Sequence, residues 1–425
     1  MTRVGSEAAS GGPPARTGSA REPDAAPGGY HRAMSLLPSA WGGRPVWAEI
    51  DLDALVHNVR LLAARAAPSR VWAVVKANAY GHGAVACGRT ALEAGATGLA
   101  VACVDEGEEL RQAGIEAPVL VVGYTPPSDA ERVVALRLRP TVGAAELVEA
   151  LGAAARRGGG TVPVPLELES GLNRHGLPPD ALVALAERAR ATAGVEVEGL
   201  FTHFAAAEEG DQRFTRRQFD VLREVSARLP FVKERHCSAS ASVLLDPEMK
   251  LDAVRPGLSL YGYRPAPWCG TDSDLRPVLS LRARVARLLD VERGATVGYG
   301  RTWAAARPAR IALVMCGYAD GYRRGFGNRS HVLVRGRRAP VVGRVAMDMC
   351  MVDVTAVPGA AVGDVATLIG RDGDERVDAD ELATLADTIS WEILAGLTAR
   401  VPRLYLRDGA VQAISTLTRR TPVPL

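Results

Sequence analysis

Lys76 closes the run VWAVVKANAYGHG, in which five mostly apolar residues lead directly into an ammonium and then into a glycine-containing loop. An amine held at the apolar mouth of a fold has its charged form disfavoured, so its pKa falls toward the range in which the free amine is nucleophilic. Covalent capture of a carbonyl compound needs that property. The same placement suits a lysine that snorkels from a strand end to solvent, and position alone leaves both readings open. Lysine is scarce here: Lys76, Lys233 and Lys250 stand against 48 arginines.

Further polar groups recur at the ends of later apolar runs. Glu167, Glu169 and Arg174 surround a fifth run, His203 follows a sixth, Ser240 a seventh, and Arg255 with Gly257 lies in an eighth. Taken singly, His203 also reads as a hydrogen-bonded core histidine, Arg174 as a solvated loop charge and Ser240 as a helix cap. Taken together they offer an amine, an imidazole, and a hydroxyl beside the backbone amides near Gly257–Leu258 that suits a phosphate. Pyridoxal 5′-phosphate is the cofactor that uses all three.

Residues this far apart in sequence meet only if the fold gathers strand ends on one face. Short β-branched runs alternate with Ala/Leu/Arg stretches of helical period from about residue 47, the pattern of repeated βα units. Strands are expected at Val71–Ala77, Gly98–Ala102, Val119–Gly123, Arg139–Val142, Val164–Glu169, Glu198–Phe204, Arg235–Ser240 and Ala253–Tyr261. An opening helix, Asp53–Ala66, takes Asp53 as its N-cap. The expected class is α/β, a (β/α)₈ TIM barrel whose chemistry sits at the C-terminal strand ends, with a doubly wound sheet as the alternative. Residues 1–40, poor in bulky apolar side chains, are expected to form a disordered tail. The barrel is expected over 46–264 and a mostly β domain over 265–425. Within the latter, strands are expected at Val278–Val291, Ile311–Cys316, His331–Val334, Pro340–Val354 and Val401–Arg407, with a helical stretch at Asp378–Leu397.

The charge balance, Lys+Arg 51 against Asp+Glu 48, is spread along the chain and argues against nucleic acid or a membrane surface as partner. No apolar run reaches the roughly 18 residues of a membrane helix. The six cysteines are scattered without a C-x-x-C pair, so neither a structural zinc nor a disulfide framework is expected, and the compartment is read as the reducing cytoplasm. Met34 is as sensible a translation start as Met1.

The motifs WAEIDLDALVHNVR, VVKANAYGHG, THF, VRPGLSLYGY, VGYGRTW, GYADGY, GRVAMDM and ARVPRLY, in that order over about residues 46–408, resemble those of the alanine racemases, pyridoxal-phosphate enzymes built from a barrel and a C-terminal β domain. Motif by motif, the resemblance implies that Lys76 holds the cofactor and acts as base toward one alanine enantiomer. Tyr299 is then the acid/base of the opposite face, supplied from the second subunit of a head-to-tail homodimer. Tyr80, Ser240, Gly257 and Leu258 match phosphate-binding positions, and His203 the group beside the pyridine ring. Arg174 and Met347 match positions that hold the cofactor's phenolic oxygen and the substrate carboxylate, with Tyr318 lining the entrance. Arg255 matches the partner of the pyridine nitrogen.

Some residues depart from the family pattern. Glu167 stands where many members carry a carbamylated lysine, and is expected to orient Arg174 with its own charge. Trp391 replaces a phosphate-binding tyrosine, and Ala239 a common asparagine before the phosphate serine. The resemblance implies an alanine racemase supplying D-alanine for peptidoglycan. A racemase of serine or of a broader amino-acid range, or a catalytically weak cofactor-binding paralogue, are the alternatives. No metal is expected, since no His/Cys ligand cluster is evident.

Overall fold

A computed structural model describes residues 43–424. The expected tail, residues 1–40, and the Met34 start lie outside the described residues.

Eight parallel strands form a closed barrel: β2 (Arg70–Val74), β3 (Gly98–Val101), β4 (Val119–Val121), β5 (Arg139–Pro140), β6 (Val162–Glu167), β7 (Val195–Phe201), β8 (Glu234–His236) and β9 (Ala253–Val254). Hydrogen-bonded ladders run from β2 to β5 and from β6 to β8, and β9 pairs in parallel with β2. A parallel bridge from Val142 to Leu166 joins the two arcs, and the Arg255 N–H donates to the Ser238 carbonyl at 2.8 Å beside β8 and β9. The ring therefore closes, which an open doubly wound sheet does not do. Residues 71–74 of β2 are buried on both faces, as a parallel strand between a barrel core and its helices must be.

All eight expected strands are present, and every one stops short of its expected C-terminal end. Lys76 follows β2 rather than ending it, and β9 is two residues long, because Pro256 and Gly257 turn the chain out of the ladder. Helix α1 (Leu52–Ala66) buries Leu52, Leu55, Val59 and Leu62 on one face, and its cap corrects the expectation. Asp51, not Asp53, accepts the Ala54 N–H at 2.9 Å. Strand β1 (Val46–Asp51) runs straight into the helix, so its last residue occupies the non-helical position that a cap requires.

That same strand corrects a boundary. Residues 46–51, expected to open the barrel, instead lie in the β domain's main sheet, antiparallel to β10 (Leu279–Val291) and parallel to the strand Arg403–Arg407. The β domain is mostly antiparallel, with β10 also pairing Ala309–Val314 and Val365–Asp372. The expected run Pro340–Val354 splits into the hairpin strand Arg337–Pro340, a loop and the strand Cys350–Asp353. The expected helical stretch 378–397 divides into Ala379–Leu385 and Ser390–Ala395, since Asp387 takes a left-handed φ of 52° and Ile389 is extended. A single buried apolar cluster runs from the barrel into the β domain.

Candidate active site

At the C-terminal end of β2 the chain makes an unusual turn. Ala77, Asn78, Ala79 and Tyr80 are consecutively left-handed, with φ between 52° and 54°. Each L-residue in that region costs on the order of 1–2 kcal/mol, so the surroundings must hold the turn in place. Glu106 accepts the N–H groups of Ala77 and Ala102, both at 2.7 Å, and the Asn78 side chain accepts the Ala84 N–H at 2.9 Å. His82, fully buried behind the turn, faces the carbonyls of Ala79 and Tyr80 with Nδ1, both at 2.9 Å. Lys76 opens this turn. Burial, then the nearby Arg174 and Arg255, push its amine below the ordinary lysine range against the opposing pull of Glu106.

Tyr80 reaches across to β9, its phenol raised to about 12 by burial and then by Glu106. A side chain at Gly257 would come within 2.5 Å of the Tyr80 hydroxyl, so only glycine leaves this corner open. Ser240 Oγ accepts the N–H groups of Gly257 at 3.0 Å and Ser259 at 3.2 Å. Leu258 and Trp391 border the same space. A hydroxyl, a phenol and two backbone amides held by that hydroxyl thus converge on one corner of the space.

On the opposite wall the buried Arg255 donates to the Thr202 carbonyl at 2.8 Å and to His236 Nδ1, and lies 3.5 Å from His203 Nδ1. It stacks 4.9 Å above the Phe201 ring. Burial lowers its pKa to about 10. The imidazoles titrate far below neutrality: His203 is pushed down to about 3 by burial and by Arg255, and His236 is lowered for the same two reasons. Each imidazole is therefore neutral, and His236 presents a lone pair to the guanidinium. Sequence reasoning missed His236, Glu106 and His82. The alternation of His236 with Ser238 and Ser240 past a strand end was an available signal for the first; the other two act on backbone and left none.

Glu167 meets its expected partner only at the edge of contact. Arg174 Nη2 lies 4.0 Å from Glu167 Oε1, an ion pair without a hydrogen bond, and Oε2 is buried with no hydrogen-bond partner. Burial raises the Glu167 carboxyl, with Arg174 and then Arg255 opposing. The Arg174 side chain is half exposed, and its backbone N–H is held by Glu169 at 3.3 Å.

Lys76, Tyr80, Glu167, Arg174, His203, Ser240, Arg255, Gly257, Leu258 and Trp391 line one cavity of about 640 Å³ at the barrel mouth. Tyr299, Tyr318 and Met347 do not. They sit on β-domain loops, 72%, 40% and 52% exposed. Among the described residues there is no group of three or more His, Cys, Asp or Glu able to hold a metal, and no helix long and apolar enough to cross a membrane.

The comparisons agree over most of the chain. Residues 50–265 match the model of the alanine racemase N-terminal domain, and residues 278–405 that of the C-terminal domain. Alanine racemase of Symbiobacterium thermophilum is 45% identical over 368 residues, covering 86% of this chain and 98% of the relative. The crystal structure of alanine racemase from Bacillus anthracis with bound L-Ala-P superposes with a TM-score of 0.83 at 36% identity, covering 89% of this chain and 99% of that one. Alanine racemase from a D-cycloserine-producing Streptomyces lavendulae gives 0.81 at 39% identity, with 86% and 98% covered. With its barrel, its β domain and nearly the whole length of these relatives matched, the chain belongs to the alanine racemase family.

Proposed function

We propose that this chain is a pyridoxal 5′-phosphate-dependent enzyme that interconverts L-alanine and D-alanine, working in the cytoplasm to supply D-alanine for peptidoglycan. The observation that carries the reading is the position of Lys76: its depressed amine shares one cavity with the Ser240–Gly257 corner and with Arg255. The residues present fit the cofactor. The positive charges of Arg174 and Arg255 lower the proton affinity of Lys76, and that of Arg174 lowers Arg255's, a field that an anionic ligand relieves, and the space above Gly257 is one that a side chain would close.

When bound, pyridoxal phosphate supplies a conjugated, electron-withdrawing ring that stabilises the negative charge left on the α-carbon after proton removal. Lys76 would hold it covalently and then exchange a proton on one face. Tyr80, Ser240, Gly257, Leu258 and Trp391 would hold the phosphate, with His203 beside the ring. Arg255, a permanent donor, would face the ring nitrogen and leave it unprotonated, which limits the lifetime of the charge and so the side reactions. Arg174, steadied by the Glu167 charge, would hold the substrate carboxylate.

Inversion requires a second acid/base on the other face. Tyr299 lies outside the cavity of its own chain, so a second copy packed head to tail would deliver its Tyr299 there, with Met347 at the substrate carboxylate and Tyr318 at the entrance. Chiral analysis of the loaded enzyme tests the reading. L-alanine should yield both enantiomers, and Lys76→Ala should lose both the conversion and the yellow colour of a lysine-held cofactor. Racemisation retained in Lys76→Ala would end it. Faster turnover of serine in a panel of single enantiomers would replace it with the broader-range racemase.

A further inference from the structure

Tyr318 and Met347 sit on two loops, residues 317–321 and 346–348, that are stitched backbone to backbone. The Tyr318 N–H donates to the Ala346 carbonyl and the Ala319 N–H to the Met347 carbonyl, each at 3.0 Å. Arg400, in the turn before the strand Arg403–Arg407, crosses both loops. Its Nη2 donates to Asp348 Oδ1 at 2.6 Å, and its Nε lies 3.6 Å from Asp320 Oδ1. The Asp320 side chain is fully buried and also accepts from the Gly317 N–H at 3.1 Å and from Arg44 Nη1 at 2.7 Å. Arg44 in turn reaches the Arg400 carbonyl at 3.1 Å.

A buried carboxylate has to be compensated, whereas an exposed ion pair adds little to stability. Arg44 and the Gly317 N–H supply that compensation, and because Arg44 Nη1 also donates to the Arg400 carbonyl, it holds Arg400 beside the carboxylate with Nε 3.6 Å away. The far end of Arg400 then fixes Asp348, which is half-exposed and lies next to Met347. Thr398 Oγ1, donating to the Ala319 carbonyl at 2.8 Å, also holds the first loop; Met347 and Tyr318 protrude from the surface, so their placement depends on the spacing of the loops beneath them.

We propose that Arg400 is a positioning residue. By spanning Asp320 and Asp348 it sets the spacing of the two loops that a second copy receives at its substrate entrance, and it governs substrate capture more than proton transfer. The inference rests on the two-copy reading above. Asp348→Asn, altered at the half-exposed end, and Arg400→Gln each raise KM for alanine about tenfold while kcat falls by less than about threefold. Both remain dimers by sedimentation and exchange amide hydrogens faster over 317–321 and 346–348 alone. Arg400→Lys, which reaches one carboxylate at a time, recovers part of the KM.

Because the loops act on the other copy, mixing Arg400→Gln with an excess of the Lys76→Ala chain returns KM to the parental value. Unchanged KM in both variants, or equal losses in kcat and KM, would overturn the role. A mixture of Lys76→Ala with Tyr299→Phe is the control. If it regains activity while the Arg400→Gln mixture keeps its raised KM, the clamp alone is refuted. If it stays inactive, the shared-site reading fails and takes the clamp with it.

Discussion

At the scale of single residues, the site spends desolvation on charges it does not fully pair. Glu167 is buried with one oxygen unpartnered and its guanidinium 4.0 Å away, so its charge costs more in lost hydration than the long contact returns. Glu167→Gln is therefore expected to raise stability by about 1 kcal/mol while raising KM for alanine, because Arg174 loses its orienting field. Chemical unfolding and steady-state kinetics on the same preparation check both signs; unchanged kinetics would mean that the pair does not steer the arginine. His82 offers a second test. Its Nδ1 faces two carbonyls and so carries the proton, while Nε2 is buried without a hydrogen-bond partner, and burial pushes the imidazole down to about 4. Between its ordinary pKa of about 6.5 and that value the unfolded chain binds the proton that the folded one refuses. The stabilisation is thus complete above about pH 6.5 and is lost as pH falls toward 4, by about 3 kcal/mol for this group alone. Urea unfolding at pH 7 and pH 5 should show the loss, and His82→Asn should shrink it.

At the scale of elements, patterning located far more than it delimited. Alternating apolar runs placed all eight barrel strands, because burial on both faces imposes a continuous apolar stretch that is easy to see. Their ends were overestimated where the polar mouth begins, since hydrogen bonding stops before hydrophobicity does. The four-residue left-handed turn after Lys76 was invisible: its residues, Ala77 to Tyr80, have no left-handed preference apart from Asn78, and the turn is held by groups such as Glu106 that come from another element, the helix Val104–Gln112. The α1 cap is a one-step version of the same problem. Spacing alone put the cap at Asp53, and it is the path of β1 that selects Asp51 instead. Asp51→Ala should cost about 1 kcal/mol of stability. Asp53→Ala should leave the helix cap intact and loosen instead the contact in which Asp53 accepts the Asp408 N–H at 2.7 Å. Equal effects from the two would contradict the assignment.

At the scale of the whole molecule, strand count and motif order made the closed barrel, the β domain and the family readable, and the resemblance also implied that Tyr299 comes from a second subunit. The residues around the cavity come from the ends of barrel strands, from the loops and turns that follow them and from residues 389–395 around Trp391, whereas Tyr299, Tyr318 and Met347 lie exposed on other β-domain loops. On the two-copy reading, activity per chain should fall on dilution in parallel with dissociation measured by sedimentation, and loss of dimer without loss of activity would refute it. The position of β1 carries a separate consequence. Of the described strands this one is translated earliest, yet its two neighbours in the sheet, Leu279–Val291 and Arg403–Arg407, are translated after the entire barrel. The nascent chain must therefore carry this ribbon unpaired until Leu279–Val291 emerges and only half-paired until Arg403–Arg407 follows, and chaperone demand should be greatest over that interval.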